Sequence, residues 1–435
     1  MVEKREENKV MLFAVLIMAI LAVEKLAGLS INEFVYVGVF AILFLNAKFS
    51  SVVEMICFFM PLAFLVSSIA YIWLVTLVVL IAKSNFKIKA NRVAIIFFFT
   101  CLELLAHFLY GISNVNRMGG YILSMALIFY LLYDSHANLN YERCVKLYSY
   151  GAFGLCLLFL LNAIVNAPNN WMQLMASGML RFGSTVNSKF GAMTVNLNAN
   201  TLAYYSLTGL TTSLVVSNSV NQMSQIEKCF YWFQLLFVTV VGMLTVSRSW
   251  LLSVVVCMML YIISKMNTPK RFFKYTLIVI VAVLVGFILF AQDGIPIVEA
   301  FVSRFTNSEM ATGSGRTDIF AEYMNVFMSS ERFQLFGTGV TDYIEVTGMW
   351  QSMHMGLEQI VICLGMPGAG IFLIVLMKPI IKMFRFKVNL LYWIPIISVV
   401  LFTQTIQFLN PNLLMLPFAI GCYSLKAGIP NKKAV

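Results

Sequence analysis

Long apolar runs and short polar punctuation alternate along the whole chain. Runs of roughly 15 to 25 residues recur from end to end, and a helix needs about 17 to 25 apolar residues to cross the hydrocarbon core of a bilayer. The pattern predicts spans at roughly 10–27, 31–46, 51–61, 63–82, 91–110, 119–133, 147–165, 198–217, 230–246, 249–264, 275–291, 352–377, 389–409 and 412–426. The stretch 51–82 is too long for one helix and short for two, with Pro61 near its break, so the total is about 12 to 14. An all-α polytopic membrane protein follows, with residues 1–435 as a single membrane domain. The first run, opening near Val10 after Lys4, Arg5 and Lys9, lacks a small-residue cleavage site and reads as a retained span.

Positive charge sets the expected orientation. Lys83, Lys87, Lys89 and Arg92 form one cluster, Lys265, Lys270, Arg271 and Lys274 a second, and Lys378, Lys382, Arg385 and Lys387 a third. By the positive-inside rule all three are cytoplasmic, and both termini then lie in the cytoplasm. Two long segments face outward, about 166–197 and about 292–351. The second exceeds ordinary connection lengths and carries Phe301, Phe305, Ile319, Phe320, Tyr323, Phe327, Phe333 and Leu335, apolar enough to fold as short helices on the membrane surface.

Composition narrows the classes. With 60% hydrophobic and 11% charged residues, 435 residues cannot form one water-soluble core. The net charge of +11 would suggest nucleic acid in a soluble protein, but here the basic residues sit between apolar spans and report orientation, so no nucleic-acid partner is expected. None of the eight cysteines forms a CxxC pair; Cys57, Cys101, Cys156, Cys257 and Cys422 fall in apolar runs and read as free thiols. HExxH, GxSxG and Walker A signatures are missing, and there are three histidines, so neither a metal nor another cofactor is expected. No internal repeat supports a repeat-built transporter.

Candidate chemistry lies on the expected outer side. Ser247, Arg248 and Ser249 are the polar break between two apolar spans. Arg248 reads either as an interfacial anchor or as a phosphate clamp, since guanidinium offers a planar, permanently charged fork. Arg181 in RFGSTVN and Arg316 in GSGRTDIF read as surface-loop residues, Arg316 beside Asp318, or as further parts of such a clamp; nothing local raises Arg304. His354 opens an apolar helix with Glu358 one turn on, where a carboxylate can orient an imidazole acting as general base; the alternative is a structural interfacial histidine. Glu103 and His107 repeat that spacing inside the span 91–110 and either satisfy each other or mark a functional intramembrane pair. Gln404 and Gln407 read as helix–helix hydrogen-bonding groups.

Taken together, several segments resemble the O-antigen ligase and Wzy-type polymerase superfamily. RFGSTVN followed by NLNANTLAYYSL resembles an Arg-x-x-Gly stretch and an Asn-Pro-Asn-x-Leu-Ala helix start, matched at Asn198, Asn200, Leu202 and Ala203, with Ala199 in place of proline. TVSRSW resembles the Ser-Arg segment, SGRTDIF the Gly-Arg-x-x-x-Trp/Phe segment and FGTGV the Gly-x-Gly turn. HMGLEQIVICLGMPG is similar to His-Asn-x-x-Leu…Gly-x-Pro-Gly at His354, Gly365, Pro367 and Gly368, with Met355 where asparagine is usual and Glu358 where leucine is. The matches run in order over roughly 181–368.

The resemblance implies a GT-C-like, metal-independent, inverting glycosyltransferase of the bacterial cytoplasmic membrane, acting at its outer face on undecaprenyl-diphosphate-linked glycans as donor and acceptor. Arg181, Arg248 and Arg316 would neutralise the departing diphosphate and His354, backed by Glu358, would take the proton from the attacking hydroxyl. A chain-length regulator protein is a conceivable partner. A ligase would differ in its acceptor, a lipid A core or a protein; outside the class stands a flippase, with Glu103 and His107 as its key groups.

Overall fold

Apolar side chains point both inward and outward in this molecule, as they do where the solvent is lipid: Phe108, Ile374 and Phe233 are exposed while Phe13, Phe40 and Phe372 are fully buried. The computed structural model describes residues 2–66, 69–84, 90–111, 115–133, 139–166, 182, 199–218, 223–266, 273, 298–300, 302, 316–353, 355–406, 408–409 and 415–429. Among these every element is helical and none is a strand.

The helices are α1 (Val2–Leu26), α2 (Glu33–Asn46), α3 (Phe49–Phe59), α4 (Ile69–Lys83), α5 (Ala90–Tyr110), α6 (Val115–Tyr133), α7 (Tyr141–Asn166), α8 (Ala199–Val216), α9 (Gln225–Leu244) and α10 (Arg248–Lys265). There follow α11 (Arg316–Met328), α12 (Glu331–Phe336), α13 (Tyr343–Thr347), α14 (Gly356–Phe384), α15 (Ile394–Phe402) and α16 (Leu416–Ala427). Among the described residues five helices are long and apolar enough to cross a membrane unaided: α5, α7, α9, α10 and α14. The expected span 275–291 lies outside the described residues.

The difficult stretch 51–82 resolves into a short helix, a 3-10 turn and a second helix. α3 ends at Phe59, and Met60–Leu65 tighten into 3-10 geometry with Pro61 in the first turn. Eleven residues rise only about 17 Å, so α3 does not cross a bilayer by itself. Its residues from Ser51 onward are buried instead. Gly151 of α7 makes that burial close: a Cβ there would stand 1.9 Å from the Phe58 carbonyl oxygen.

At the centre stands α8, in which every residue from Thr201 to Val216 is buried. Its hydroxyls are satisfied within the bundle: Thr212 and Ser213 bond back to Thr208 and Gly209 carbonyls, Tyr148 meets Thr208 at 2.8 Å and Ser398 meets Thr211 at 3.2 Å. α7, α9, α10 and α15 pack around it.

Polar contacts bring one set of helix ends to a common side. Lys83 donates to the Leu45 carbonyl, Arg143 pairs with Glu54 at 2.9 Å and with Glu7, Lys265 donates to Asn218 at 2.7 Å, and Lys426 reaches the Leu132 carbonyl. The starts of α1 and α7 and the ends of α2, α4, α6, α8, α10 and α16 therefore share that side. At the entrance to α9 a capping box closes between Ser224 and Glu227.

α14 is broken. Gly365 has φ 68° and ψ 170°, and Pro367 follows with no N–H to offer the Cys363 carbonyl. The chain after α12 fills the gap: Thr338 N–H donates to the Ile362 carbonyl and Gly339 N–H to the Cys363 carbonyl, both at 3.0 Å. Gly337, itself at φ 72°, lies against Gly365 so closely that a Cβ on Gly337 would stand 2.2 Å from the Cys363 oxygen and 2.5 Å from the Gly365 nitrogen.

Gly337→Ala is therefore predicted to cost roughly 2–4 kcal/mol, combining left-handed strain with backbone overlap. It will be read as a lowered midpoint of thermal unfolding in lipid nanodiscs. Gly370→Ala, where a Cβ meets nothing within 4 Å, leaves that midpoint unchanged or slightly raised. Equal midpoints for the two variants would contradict the packing described.

Candidate functional site

Opposite the Lys83 and Lys265 side lie the two helix interruptions, at 245–248 and at 365, together with the short helices α11 to α13. The first interruption follows from the polar break in TVSRS. Thr245 closes α9 by donating to the Gly242 carbonyl at 2.6 Å, and Val246 turns the chain at φ 48°, a conformation that a β-branched residue adopts only under constraint. The constraint is packing: Val246 is fully buried against Ala300, Leu244 and Leu251. Trp250 locks the other flank, its indole N–H donating to the Ser206 hydroxyl, which in turn donates to the Val238 carbonyl.

Ser247 occupies the N-cap position of α10 without capping it. Its hydroxyl instead donates to the Asn200 side-chain oxygen at 3.2 Å, at the start of α8. Phe182 is tied to the same turn through its N–H to the Leu244 carbonyl, 3.3 Å. Arg248, half-buried, is the first residue of α10, so its guanidinium adds to the partial positive charge of the helix start. An anion would answer both charges at once. Arg181 and Arg304 lie outside the described residues.

The second interruption carries the other candidates. Four consecutive amides of the strap after α12 are taken up: Thr338 and Gly339 by the freed carbonyls of α14, Val340 and Thr341 by the carboxylate of Glu103 on α5. Val340 N–H reaches Oε2 at 2.8 Å, Thr341 N–H reaches Oε1 at 3.1 Å, and the Thr341 hydroxyl adds 2.6 Å to Oε1. Tyr110 on the same helix donates to the Gly337 carbonyl at 2.9 Å. Arg117 at the start of α6 pairs with Asp342 at 3.5 Å and Glu345 at 3.7 Å.

These contacts correct the expectation that Glu103 and His107 satisfy each other. Glu103 is buried and its donors come from the strap; no hydrogen bond joins it to His107 among the described residues. Occupied oxygens also remove the main reason to read Glu103 as an ion-coupling group of a transporter.

Beyond the strap, α14 begins. Its first residue, Gly356, donates to the Thr403 carbonyl at 2.7 Å, and Gln359 accepts from the Leu409 amide at 3.2 Å, docking the helix start on the chain that leaves α15. Gln359 thus does the work expected of Gln404, which is exposed and makes no hydrogen bond among the described residues; Gln407 lies outside them. Glu358 is half-buried, and its enclosed Oε2 has no hydrogen-bond partner among the described residues. His354 lies outside the described residues, so its expected pairing with Glu358 does too.

Arg316 heads α11, a different helix start from those of Arg248 and Glu358. α11 is tied to the approach to α14: Tyr323 donates to the Gln351 carbonyl at 2.7 Å, and its ring lies 5.8 Å from that of Tyr343, which accepts from Met353 N–H. Burial pushes the Tyr323 phenol up to about 12 and raises that of Tyr343 as well, so both stay protonated at neutral pH. Among the described residues no three His, Cys, Asp or Glu stand together as a metal site.

The chain matches no protein-family model, no curated protein and no solved structure.

The Asn200–Ser247 bond is testable by a double-mutant cycle. Asn200→Ala leaves the buried Ser247 hydroxyl without its acceptor and is predicted to cost about 1–2 kcal/mol of stability. Adding Ser247→Ala then costs less than the sum of the single changes, with a coupling of about 0.5–1.5 kcal/mol. Strict additivity in thermal or denaturant unfolding would remove this bond from the account.

Proposed function

We propose that this protein is a polysaccharide polymerase: a GT-C-like glycosyltransferase that joins undecaprenyl-diphosphate-linked oligosaccharides at the outer face of the bacterial cytoplasmic membrane. One observation carries the reading. Segments on which the family resemblance rests, distant in sequence, meet in pairs: Asn200 with Ser247 beside Arg248, and the Gly337–Gly339 turn with the Cys363–Gly365 break. In this orientation the Lys83 and Lys265 side is cytoplasmic, with both termini, and the interruptions face out.

The chemistry follows from the residue types. The acceptor sugar hydroxyl gives its proton to the His354 imidazole, which Glu358 orients, as its oxygen bonds to the anomeric carbon of the donor. The bond from that carbon to the diphosphate oxygen breaks, and the diphosphate leaves with the electron pair. Its growing charge is met by Arg248 at the start of α10, with Arg181 and Arg316 as further partners. Attack opposite the leaving group inverts the anomeric centre. Donor and acceptor both arrive in the bilayer, and a chain-length regulator protein is a natural partner for a reaction that repeats.

Purified protein in proteoliposomes, given lipid-linked repeat units and no ion gradient, is expected to yield a ladder of products on a gel. Transfer solely to added lipid A core or to a protein would make it a ligase, and an absence of any transfer would sink the reading. In the same assay His354→Ala is expected to lower turnover by about 100-fold or more; undiminished turnover removes His354 from the mechanism.

Arg248→Lys keeps the charge but loses the planar fork, and is expected to slow the reaction by roughly 10-fold or more. Wild-type kinetics in that variant would leave Arg248 an anchor.

A further inference from the structure

A carboxylate buried within a membrane-spanning helix is costly unless donors surround it, so its retention calls for a task. Glu103 is 4% exposed, and its three donors come from one short strap 237 and 238 residues further along the chain. The same strap supplies the two amides that close the break in α14. From the geometry we infer that Glu103 is a positioning residue: it holds the Gly337–Asp342 strap in the break of α14 and so sets the half-helix that carries Glu358. The inference rests on the glycosyl-transfer reading for its catalytic consequence.

The argument turns on what a broken helix transmits. Across Gly365 the regular hydrogen-bond ladder stops, so the lower part of α14, packed in the bundle, does not by itself orient residues 356–364. Two clamps orient them instead. One is the docking of Gly356 and Gln359 on the segment 403–409. The other is the strap, whose amides at 338 and 339 bind the upper half-helix at Ile362 and Cys363 while those at 340 and 341 bind Glu103. Tyr110, about two turns beyond Glu103 on the same helix, fixes the strap's entrance, and Arg117 fixes its exit.

A carboxylate suits this position better than an amide. Both Glu103 oxygens accept, one from each of two consecutive N–H groups. Glutamine has a single acceptor oxygen and would turn an NH2 donor toward the other N–H. One strap amide would lose its partner, and the strap its register.

Full-length protein in nanodiscs tests this through Glu103→Gln, Thr341→Val and Thr341→Ser. Hydrogen–deuterium exchange is expected to quicken at 338–341 and 356–364 in Glu103→Gln, while α8 stays protected. Turnover of lipid-linked repeats should fall about 10- to 100-fold with KM within twofold of wild type, the size of effect that a small misplacement of catalytic groups produces. Thr341→Val, which removes the 2.6 Å hydroxyl bond, should fall partway, and Thr341→Ser, which retains it, should match wild type. Unchanged exchange in Glu103→Gln overturns the inference whether or not the wild type polymerises. Equal losses in Thr341→Val and Thr341→Ser, or faster exchange throughout the bundle, overturn it as well, by reducing Glu103 to general stability. Should the wild type make no glycan while Glu103→Gln still exchanges faster locally, the polymerase reading falls and Glu103 remains the residue that holds the strap.

Discussion

A backbone carbonyl without a donor is the constraint from which the candidate site is built. In hydrocarbon no water can pair with it, so a membrane helix interrupted by glycine and proline must recruit donors from elsewhere in the protein. In α14 the interruption at Gly365 and Pro367 frees the carbonyls of Ile362 and Cys363, and the strap answers with two amides. Bringing strap and helix that close demands glycine on both sides, which is why Gly337 and Gly365 face each other. The strap's next two amides then need acceptors of their own, and Glu103 supplies them. One broken helix thus explains a pair of glycines, a buried carboxylate and the course of a loop.

The α9–α10 junction meets a similar problem by different means. There the chain keeps its own local bonds through Thr245 and Val246, and the cost appears as a valine in left-handed geometry held by apolar packing. The serine that ought to cap α10 is diverted to Asn200. An arginine as the first residue of a helix adds its charge to the partial positive charge of the helix start, and the two together suit an anion. Both interruptions lie on the side away from Lys83, Arg143 and Lys265, so non-helical backbone and polar side chains gather at one face of the bundle.

How far this was legible in the sequence depended on the range of the interaction. Hydropathy alone marks the apolar runs, and local chemistry marks two of the breaks: Pro61 falls in the 3-10 turn, and Ser247 and Arg248 fall at a helix junction, whereas the pattern predicts 352–377 as one span and misses the interruption at Gly365. Partners were another matter. Spacing along α5 pointed from Glu103 to His107, because four residues along a helix share a face, yet the true donors lie more than two hundred residues away and two of the three are backbone amides, which carry no residue-type signal. Gln404 reads as an interhelical amide, although it is Gln359 that accepts from the neighbouring segment. The brevity of α3 was visible in the stretch 51–61, but its burial was not, since packing against Gly151 makes a segment as apolar as crossing a bilayer does.

Glu358 carries the remaining tension. It stands where the resembling family has leucine, and an enclosed carboxylate oxygen without a donor costs about 1–3 kcal/mol that a leucine would not incur. The half-helix around it is held by the strap on one side and by Thr403 and Leu409 on the other. The enclosed oxygen has room in its bonding for a proton-bearing partner. Under the proposed reaction two such partners exist, the imidazole of His354 and the hydroxyl of an incoming sugar.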